Sequence, residues 1–140
     1  MEKIEGNFPK AEKEKLEKVV GENFSNWQES LLSGSPEQVA KIYDEDATFL
    51  PTLSDEFKKG RSAAEDYFSH FLEKKPVCEI VEQEVQELGK DCYLHSGMYN
   101  FEVGPKGQRQ IVEARFTFVW KKDKGEWKII HHHSSIKPRE

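Results

Sequence analysis

The run "HHHSS" near the end of the chain places five hydrogen-bonding side chains in a row. On a β-strand, successive side chains point to opposite faces. His132 and Ser134 then share one face, and His131, His133 and Ser135 share the other. A neutral imidazole is the natural general base near pH 7, and hydroxyls can orient water or bind oxyanions. The run is the first candidate for chemistry, and satisfied polar groups at a sheet end are the alternative interpretation.

The same alternation limits metal binding by this run. Only His131 and His133 share a face, whereas a zinc site needs at least three protein ligands. The sequence offers no HExxH motif, no CxxC motif and no acidic triad to complete a site. We therefore predict no metal and no cofactor.

The strand before this run decides which of its faces points inward. In "EARFTFVW", alternation puts Phe116 and Phe118 on one face, which we interpret as the inward face. A connecting turn with an odd number of residues would bring His132 inward, and an even one would bring Ile129 and His131 inward. The connecting letters "KKDKGE" leave both alternatives open.

The inward face of these strands needs helices to cover it. Hydrophobic spacing indicates where in the sequence those helices lie. Apolar residues three and four apart predict a first helix between Pro9 and Gly34: Leu16, Val19, Val20, Phe24, Trp27 and Leu31. "SPEQ" predicts the start of a short second helix that carries Val39, Ile42 and Tyr43. A third helix is predicted over residues 61–73.

The remaining segments predict strands. "DATFLP" indicates a short strand that Pro51 ends or bends, followed by a polar loop. Residues 77–88 fit a helix or a strand, and the alternating segments after them predict a β-meander. This order indicates an α+β fold in which the helices cover one face of a strongly curved antiparallel sheet, a cone with a pocket inside.

Composition bounds the class of protein. The chain has 140 residues, which fits a single domain over 1–140 with a polar tail at 1–12. A net charge of −5 disfavours a nucleic-acid partner. Two cysteines suit a reducing compartment, and no apolar run approaches the roughly 20 residues of a membrane span. The N-terminus lacks an apolar signal-peptide core, so we predict a cytoplasmic protein with no membrane partner.

Four segments carry a resemblance to a known family: "YDEDATFLPTLS", "GRSAAEDYFSHFLEKKPV", "EARFTFVW" and "GEWKIIHHHSSIKP". In this order and spacing they resemble the SnoaL-like superfamily of nuclear transport factor 2 and ketosteroid isomerase. They are most similar to the association domain of calcium/calmodulin-dependent kinase II, over residues 20–138. The resemblance implies a cone-shaped, cystatin-like α+β barrel, and it favours a strand for residues 77–88.

The "HHHSS" run itself resembles the C-terminal motif of iota-class carbonic anhydrases, whose members are described as metal-dependent or metal-free. The metal-free type implies a tyrosine, a threonine and a His-x-Ser pair around a small pocket. These places fall on Tyr67, Thr52, His132 and Ser134. The fallback assignments are His133 with Ser135, and Thr48.

The resemblance implies reversible hydration of CO2 to bicarbonate without a metal. In that reading His132 is the general base, the hydroxyls of Thr52, Ser134 and Tyr67 orient the water, and the rings of Phe116 and Phe118 wall the substrate side.

Two other functions stay open. One is a non-enzymatic oligomerisation or small-ligand-binding module. The other is an isomerase or cyclase, which would use an acidic base such as Asp66 or Glu113. A homodimer is expected in each case, because apolar residues fall on the outer sheet face: Ile111, Val119 and Trp127 or Ile129.

Overall fold

The computed structural model describes residues 4–5 and 10–138, with side chains from residue 12 to residue 138. The described elements are β1 (Ile4–Glu5), α1 (Lys10–Leu32), α2 (Pro36–Ala40), β2 (Tyr43–Leu50), β3 (Lys58–Lys59), α3 (Arg61–Phe71), β4 (Val77–Gly89), β5 (Cys92–Val103), β6 (Gln110–Asp123) and β7 (Glu126–Ile136). A single turn of 3-10 helix, Leu72–Lys74, extends α3. Of the predicted tail at 1–12, residues 1–3 and 6–9 lie outside the described residues.

The strands form one seven-stranded sheet in the order β1-β4-β5-β6-β7-β2-β3. Strands β4 to β7 are the predicted antiparallel meander. The α+β class is therefore confirmed. The prediction of a purely antiparallel sheet was wrong in detail, because β2 runs parallel to β7 and β1 runs parallel to β4. The inner sheet face packs against α1 and α3, and the aromatic core lies between them.

Helix α1 buries the predicted apolar stripe through Val20, Trp27 and Leu31. Helix α2 begins as predicted, since the backbone N–H of Gln38 donates to the Ser35 hydroxyl at 3.2 Å. The second helix ends earlier than predicted, at Ala40. The reason is that Ile129 N–H donates to the Ile42 carbonyl at 2.8 Å, which draws the chain onto the sheet. Tyr43 therefore begins β2 and is not helical.

Residues 77–89 form a strand, so the helical alternative was wrong for this segment. Pairing with β5 satisfies its backbone, and Cys78 and Val85 face the core. The helix prediction for residues 61–73 is confirmed, with the last turn tightened to a 3-10 helix. The segment predicted as a polar loop also contains β3, which pairs with Thr48 and Phe49 of β2.

The connection between β6 and β7 is a two-residue turn, because Asp123 pairs with Glu126. Its central residues, Lys124 and Gly125, have φ angles of 52° and 79°, the left-handed values of a type I′ hairpin. This even turn places Ile129 opposite Trp120 on the inner face.

A β-bulge then reverses the faces of β7. Trp120 pairs with Ile129 but Val119 pairs with His131, so Ile130 is the extra residue. Beyond the bulge, His132 faces inward. Each of the two alternatives that the sequence left open therefore holds for one half of the strand.

The outer face is less apolar than predicted. Ile129 is wholly buried inside, and Trp127 lies on the same inner face, where it packs against Tyr93 with 5.4 Å between ring centroids, so the outer-face prediction was wrong for both. Val119 is half-buried on the outer face, and Ile111 is 59% exposed. Leu94 pairs with Val119 across β5 and β6, on the face opposite the core. This outer face retains an apolar strip that solvent does not favour.

We expect the protein to form a dimer through this face, because burying Ile111 and its neighbours removes apolar surface from water. Light scattering at micromolar concentration should give twice the chain mass. Ile111→Lys should shift the equilibrium towards monomer, and Leu32→Lys, at an exposed apolar residue of α1, should not. A monomeric parent protein would contradict this prediction.

Candidate functional site

His132 lies at the centre of the cone, inside a box of aromatic rings. Its imidazole is stacked between Phe118, at 4.1 Å between ring centroids, and Phe49, at 4.9 Å. Trp27 of α1 meets it edge-on at 5.7 Å. Because Phe49 of β2 and Phe118 of β6 stack on the imidazole and Trp27 of α1 meets it edge-on, the ring is held in one orientation.

Both ring nitrogens of His132 contact tyrosine hydroxyls. Nδ1 lies 2.8 Å from the Tyr43 hydroxyl, and Nε2 lies 3.2 Å from the Tyr99 hydroxyl. Tyr43 also accepts a hydrogen bond from the Trp27 indole N–H at 3.2 Å. Burial is the main cause that lowers the pKa of His132 well below 6.5. The imidazole is therefore neutral at pH 7.

Thr52 and Ser134 continue this hydrogen-bonded chain. Tyr99 donates to the Ser134 hydroxyl at 2.5 Å, and the hydroxyls of Ser134 and Thr52 are hydrogen-bonded to each other. Strand β2 ends at Leu50, which pairs with His133, so the following residues reach the next inward position of β7. Pro51 ends β2 there, as predicted.

Tyr67 approaches the same place from α3. Its hydroxyl donates to the backbone carbonyl of Thr52 at 2.8 Å. Burial raises the pKa of the Tyr67 hydroxyl, so it stays protonated near neutral pH. The four residues that the resemblance assigned, from α3, β7 and the loop after β2, therefore meet at one point.

A cavity of about 10 Å³ lies among these groups. It is lined by Trp27, Phe49, Thr52, Tyr67, Phe68, Phe71, Tyr99, Phe101, His132 and Ser134. Such a volume is at the limit for one water molecule. Rings form its apolar wall, and hydroxyls form its polar wall.

A wider vestibule of about 310 Å³ adjoins the cavity, because Thr52, Tyr67 and Phe71 line both. His70 and Lys74 line the vestibule from the helical side. Its other charged groups are Lys58, Glu56 and Asp66, and the Lys58 ammonium lies 3.7 Å from Glu56 and 3.8 Å from Asp66. Thr52, Tyr67 and Phe71 therefore separate the cavity from a space that opens to solvent.

Phe116 and Phe118 do not line the cavity, so their prediction as its substrate-side walls was wrong. Phe118 stacks on His132, and Phe116 stacks on Tyr99 with 4.6 Å between ring centroids. These two rings hold the side chains of His132 and Tyr99 in place. The rings at the cavity come instead from α1, α3 and the neighbouring strands.

The fallback residues lie on the other side of the sheet. His133 is exposed, and His131 Nδ1 is 2.7 Å from the Thr48 hydroxyl. Ser135 pairs with Arg115, outside the cavity.

The acidic candidates for an isomerase also lie outside the cavity. Asp66 is exposed at the vestibule, and Glu113 is 3.5 Å from Lys137 on the surface. No carboxylate of the described residues lines the cavity.

The donor set does not fit a zinc ion. The cavity offers one imidazole, whose two nitrogens already contact hydroxyls, and neither a thiolate nor a carboxylate. Zinc needs at least three protein ligands of these kinds. Across the described chain, no group of three or more histidine, cysteine, aspartate or glutamate residues is placed to hold a metal.

Three residues that contact the candidate site were missed by sequence reasoning: Trp27, Tyr43 and Tyr99. Tyr99 lies in an alternating segment of the predicted meander, and no role was predicted for it. The available signal was that a buried tyrosine or tryptophan needs a hydrogen-bond partner.

Comparison with known proteins identifies the class to which this fold belongs. An NTF2-like protein from Pseudomonas putida KT2440 is similar, with a TM-score of 0.73, 20% identity, and coverage of 90% of this chain and 89% of that one. A Novosphingobium aromaticivorans protein described as a scytalone dehydratase has a TM-score of 0.74 at 12% identity, covering 86% and 83%. The chain has the NTF2-like, cystatin-like fold.

The family follows from a closer match. The profile of the calcium/calmodulin-dependent protein kinase II association domain matches residues 16–138. A Xanthomonas campestris structure described as such a domain has a TM-score of 0.84 and 40% identity, covering 87% of this chain and 88% of that one. The chain therefore belongs to the calcium/calmodulin-dependent protein kinase II association domain family. No curated protein matched the chain. None of the helices in the described residues is long and apolar enough to cross a membrane.

Proposed function

We propose that the protein is a metal-independent carbonic anhydrase that hydrates CO2 to bicarbonate where the vestibule meets the cavity inside the cone, with CO2 on the vestibule side and the attacking water at the cavity. The observation that supports this is the meeting of Thr52, Tyr67, His132 and Ser134 at one cavity. These residues were assigned from the "HHHSS" resemblance, and Tyr67 and Ser134 are 67 positions apart in the chain.

Hydration forms a bond between a water oxygen and the carbon of CO2, moves one C=O electron pair onto oxygen, and releases a proton. One hydroxyl of the hydrogen-bonded pair Thr52 and Ser134 donates to the negative oxygen as it develops and stabilises it. The Tyr67 oxygen, whose own proton is donated to Thr52, accepts from the O–H of the water or the bicarbonate. The proton passes to water in the vestibule and from there to buffer.

In this proposal His132 has a positioning role and is not the general base that the resemblance implied. Tyrosine hydroxyls occupy both of its nitrogens, and its depressed pKa makes it a weak base. It holds Tyr99, which in turn orients Ser134.

The second candidate function is an oligomeric assembly module without catalysis. The family match favours it, since the matched profile is that of an association domain. In that case the buried polar chain would bind a small molecule or stabilise the cone. The two candidates differ in one measurable property, the rate of CO2 hydration.

Stopped-flow CO2 hydration on protein dialysed against a chelator tests the proposal. We expect catalysis that persists after chelation and does not rise when zinc or manganese is added, because the cavity lacks a metal donor set. Activity that disappears on chelation and returns with metal would contradict the metal-free mechanism. A rate equal to that of buffer alone would leave the assembly module as the better account.

A further inference from the structure

Tyr43 determines which nitrogen of His132 carries the proton. The indole N–H of Trp27 can only donate, so the Tyr43 oxygen accepts from it. The one proton of Tyr43 then needs an acceptor, and within the described residues the only acceptor at hydrogen-bonding distance is His132 Nδ1, at 2.8 Å. Any other direction leaves a fully buried hydroxyl proton without a partner.

The direction of the remaining hydrogen bonds follows from this one. A neutral imidazole carries a single N–H, which is therefore on Nε2 and points to the Tyr99 oxygen at 3.2 Å. Tyr99 accepts there and donates its own proton to Ser134 at 2.5 Å.

The hydroxyls of Ser134 and Thr52, at the end of this series of hydrogen bonds, have one proton more than their own hydrogen bonds use. Ser134 and Thr52 carry two hydroxyl protons, and their mutual hydrogen bond uses one of them. Neither can be donated to Tyr99, because the proton between Tyr99 and Ser134 belongs to Tyr99. The second proton is left for the cavity, whichever of the two hydroxyls carries it.

The opposite tautomer would give a cavity of opposite polarity. With the proton on Nδ1, Tyr99 would donate to Nε2, Ser134 to Tyr99, and Thr52 to Ser134. Only lone pairs would then face the cavity, and it would take a hydrogen-bond donor such as ammonium.

We infer that Trp27 and Tyr43 hold His132 as the Nε2–H tautomer, and that the cavity consequently presents one hydroxyl donor beside the lone pairs of Tyr67. The matching ligand is an anion that has both an acceptor oxygen and an O–H group, which bicarbonate combines in one molecule. The inference rests on the proposed function for this choice of ligand. Its test does not require turnover.

Nitrogen-15 NMR of the imidazole ring measures the tautomer directly. We expect His132 as Nε2–H in the parent protein. In Tyr43→Phe we expect a mixture with Nδ1–H, because the donor to Nδ1 is gone. Tyr93→Phe is the matched control and should leave the His132 signals unchanged, since the Tyr93 hydroxyl accepts from Asn23 at 2.9 Å, away from the site. An Nδ1–H tautomer in the parent protein would overturn the inference.

Ligand polarity is tested by following the amide signals of Thr52 and Ser134 during titration with sodium bicarbonate, and separately with ammonium chloride. We expect saturable shifts with bicarbonate only. Saturable shifts with ammonium only, or with neither salt, would overturn the inference.

The proton count also predicts a non-additive pair of substitutions. Thr52→Val leaves the Ser134 proton for the cavity, and Ser134→Ala leaves that of Thr52. Each single variant should weaken bicarbonate binding by about 3-fold or less, and the double variant by more than about 10-fold. Additive losses would contradict the count. Hydration at the buffer rate with these binding results intact would overturn the proposed function alone.

Discussion

Replacing His132 by phenylalanine is expected to lower the rate of CO2 hydration by about 10²-fold or more, the range seen when an oriented oxyanion donor is lost. The phenyl ring keeps the stacking between Phe49 and Phe118 but offers nothing to the two tyrosine hydroxyls. The Tyr99 ring stays packed, but without the Nε2–H donor its hydroxyl can accept a proton from Ser134, so the proton that Ser134 and Thr52 leave for the cavity is no longer fixed there. His132→Ala should be at least as inactive and less stable, because it also removes the ring. Stopped-flow hydration measures the rate, and urea unfolding measures the stability.

His131→Ala is the matched control, because His131 follows the bulge on the outer face and bonds to Thr48. It should change stability slightly and the hydration rate hardly at all. Ser134→Ala should reduce the rate by less than His132→Phe does, because Thr52 keeps a hydroxyl donor for the cavity, whereas loss of His132 disturbs both hydroxyls. Tyr67→Phe should also reduce the rate by less. If His131→Ala or His133→Ala were inactive while His132→Phe kept the parent rate, the inward register of β7 would be wrong.

Acidification between pH 6.5 and pH 4 is expected to destabilise the protein through a second buried histidine. His95 is wholly buried, its Nε2 lies 2.7 Å from the Gln83 side-chain oxygen, and its Nδ1 has no partner in the described residues. Burial lowers the pKa of His95 to about 4, from an ordinary value of 6.5.

The sign follows from proton uptake. Between pH 6.5 and pH 4 the unfolded chain binds a proton at this residue and the folded protein does not, so the free energy of unfolding falls as the pH falls. At 1.36 kcal/mol for each pH unit, the loss from His95 alone is about 3 kcal/mol when pH 4 is reached. The pKa of His132 is lowered in the same direction by burial, and it adds to the loss.

Urea unfolding at pH 7 and pH 4, at one protein concentration, measures this effect. His95→Gln cannot titrate, so it should lose about 3 kcal/mol less than the parent protein over this range. His70→Gln, at an exposed histidine, should lose as much as the parent. Equal losses in the parent and His95→Gln would show that His95 is not the cause.

The helices and the inner face of the sheet could be predicted from the sequence because hydrophobic spacing records burial directly. Trp27 and Leu31 on α1, and Phe116 and Phe118 on β6, are buried as their periodicity indicates. Residues 77–89 could not be assigned by this means, because glutamate and glutamine favour a helix and only pairing with β5 makes the segment a strand.

The register of the site residues could not be derived from the sequence. The two-residue turn at Lys124 and Gly125 fixes an even register, which alone would put His131 inward. The bulge at Ile130 reverses the inward face and brings His132 inward, and no pattern in the sequence indicates the bulge. The resemblance selected His132 and Ser134 without revealing why they face inward.

The partners of the site residues were also beyond sequence reasoning. Tyr43 was expected in a helix, and it reaches His132 only because β2 pairs with β7 in parallel. Tyr99 and Trp27 are core residues, and each also donates a hydrogen bond. Such dual roles depend on distances between elements far apart in the chain.

The exchange of oxygen-18 between labelled bicarbonate and water, followed by mass spectrometry on chelator-treated protein, tests the central claim most directly. It measures hydration and dehydration together at equilibrium. Catalysed exchange in the parent protein, and about 10²-fold less in His132→Phe of the same folded content, is the predicted result. Exchange at the uncatalysed rate in both proteins would contradict the claim that this cavity is a carbonic anhydrase site.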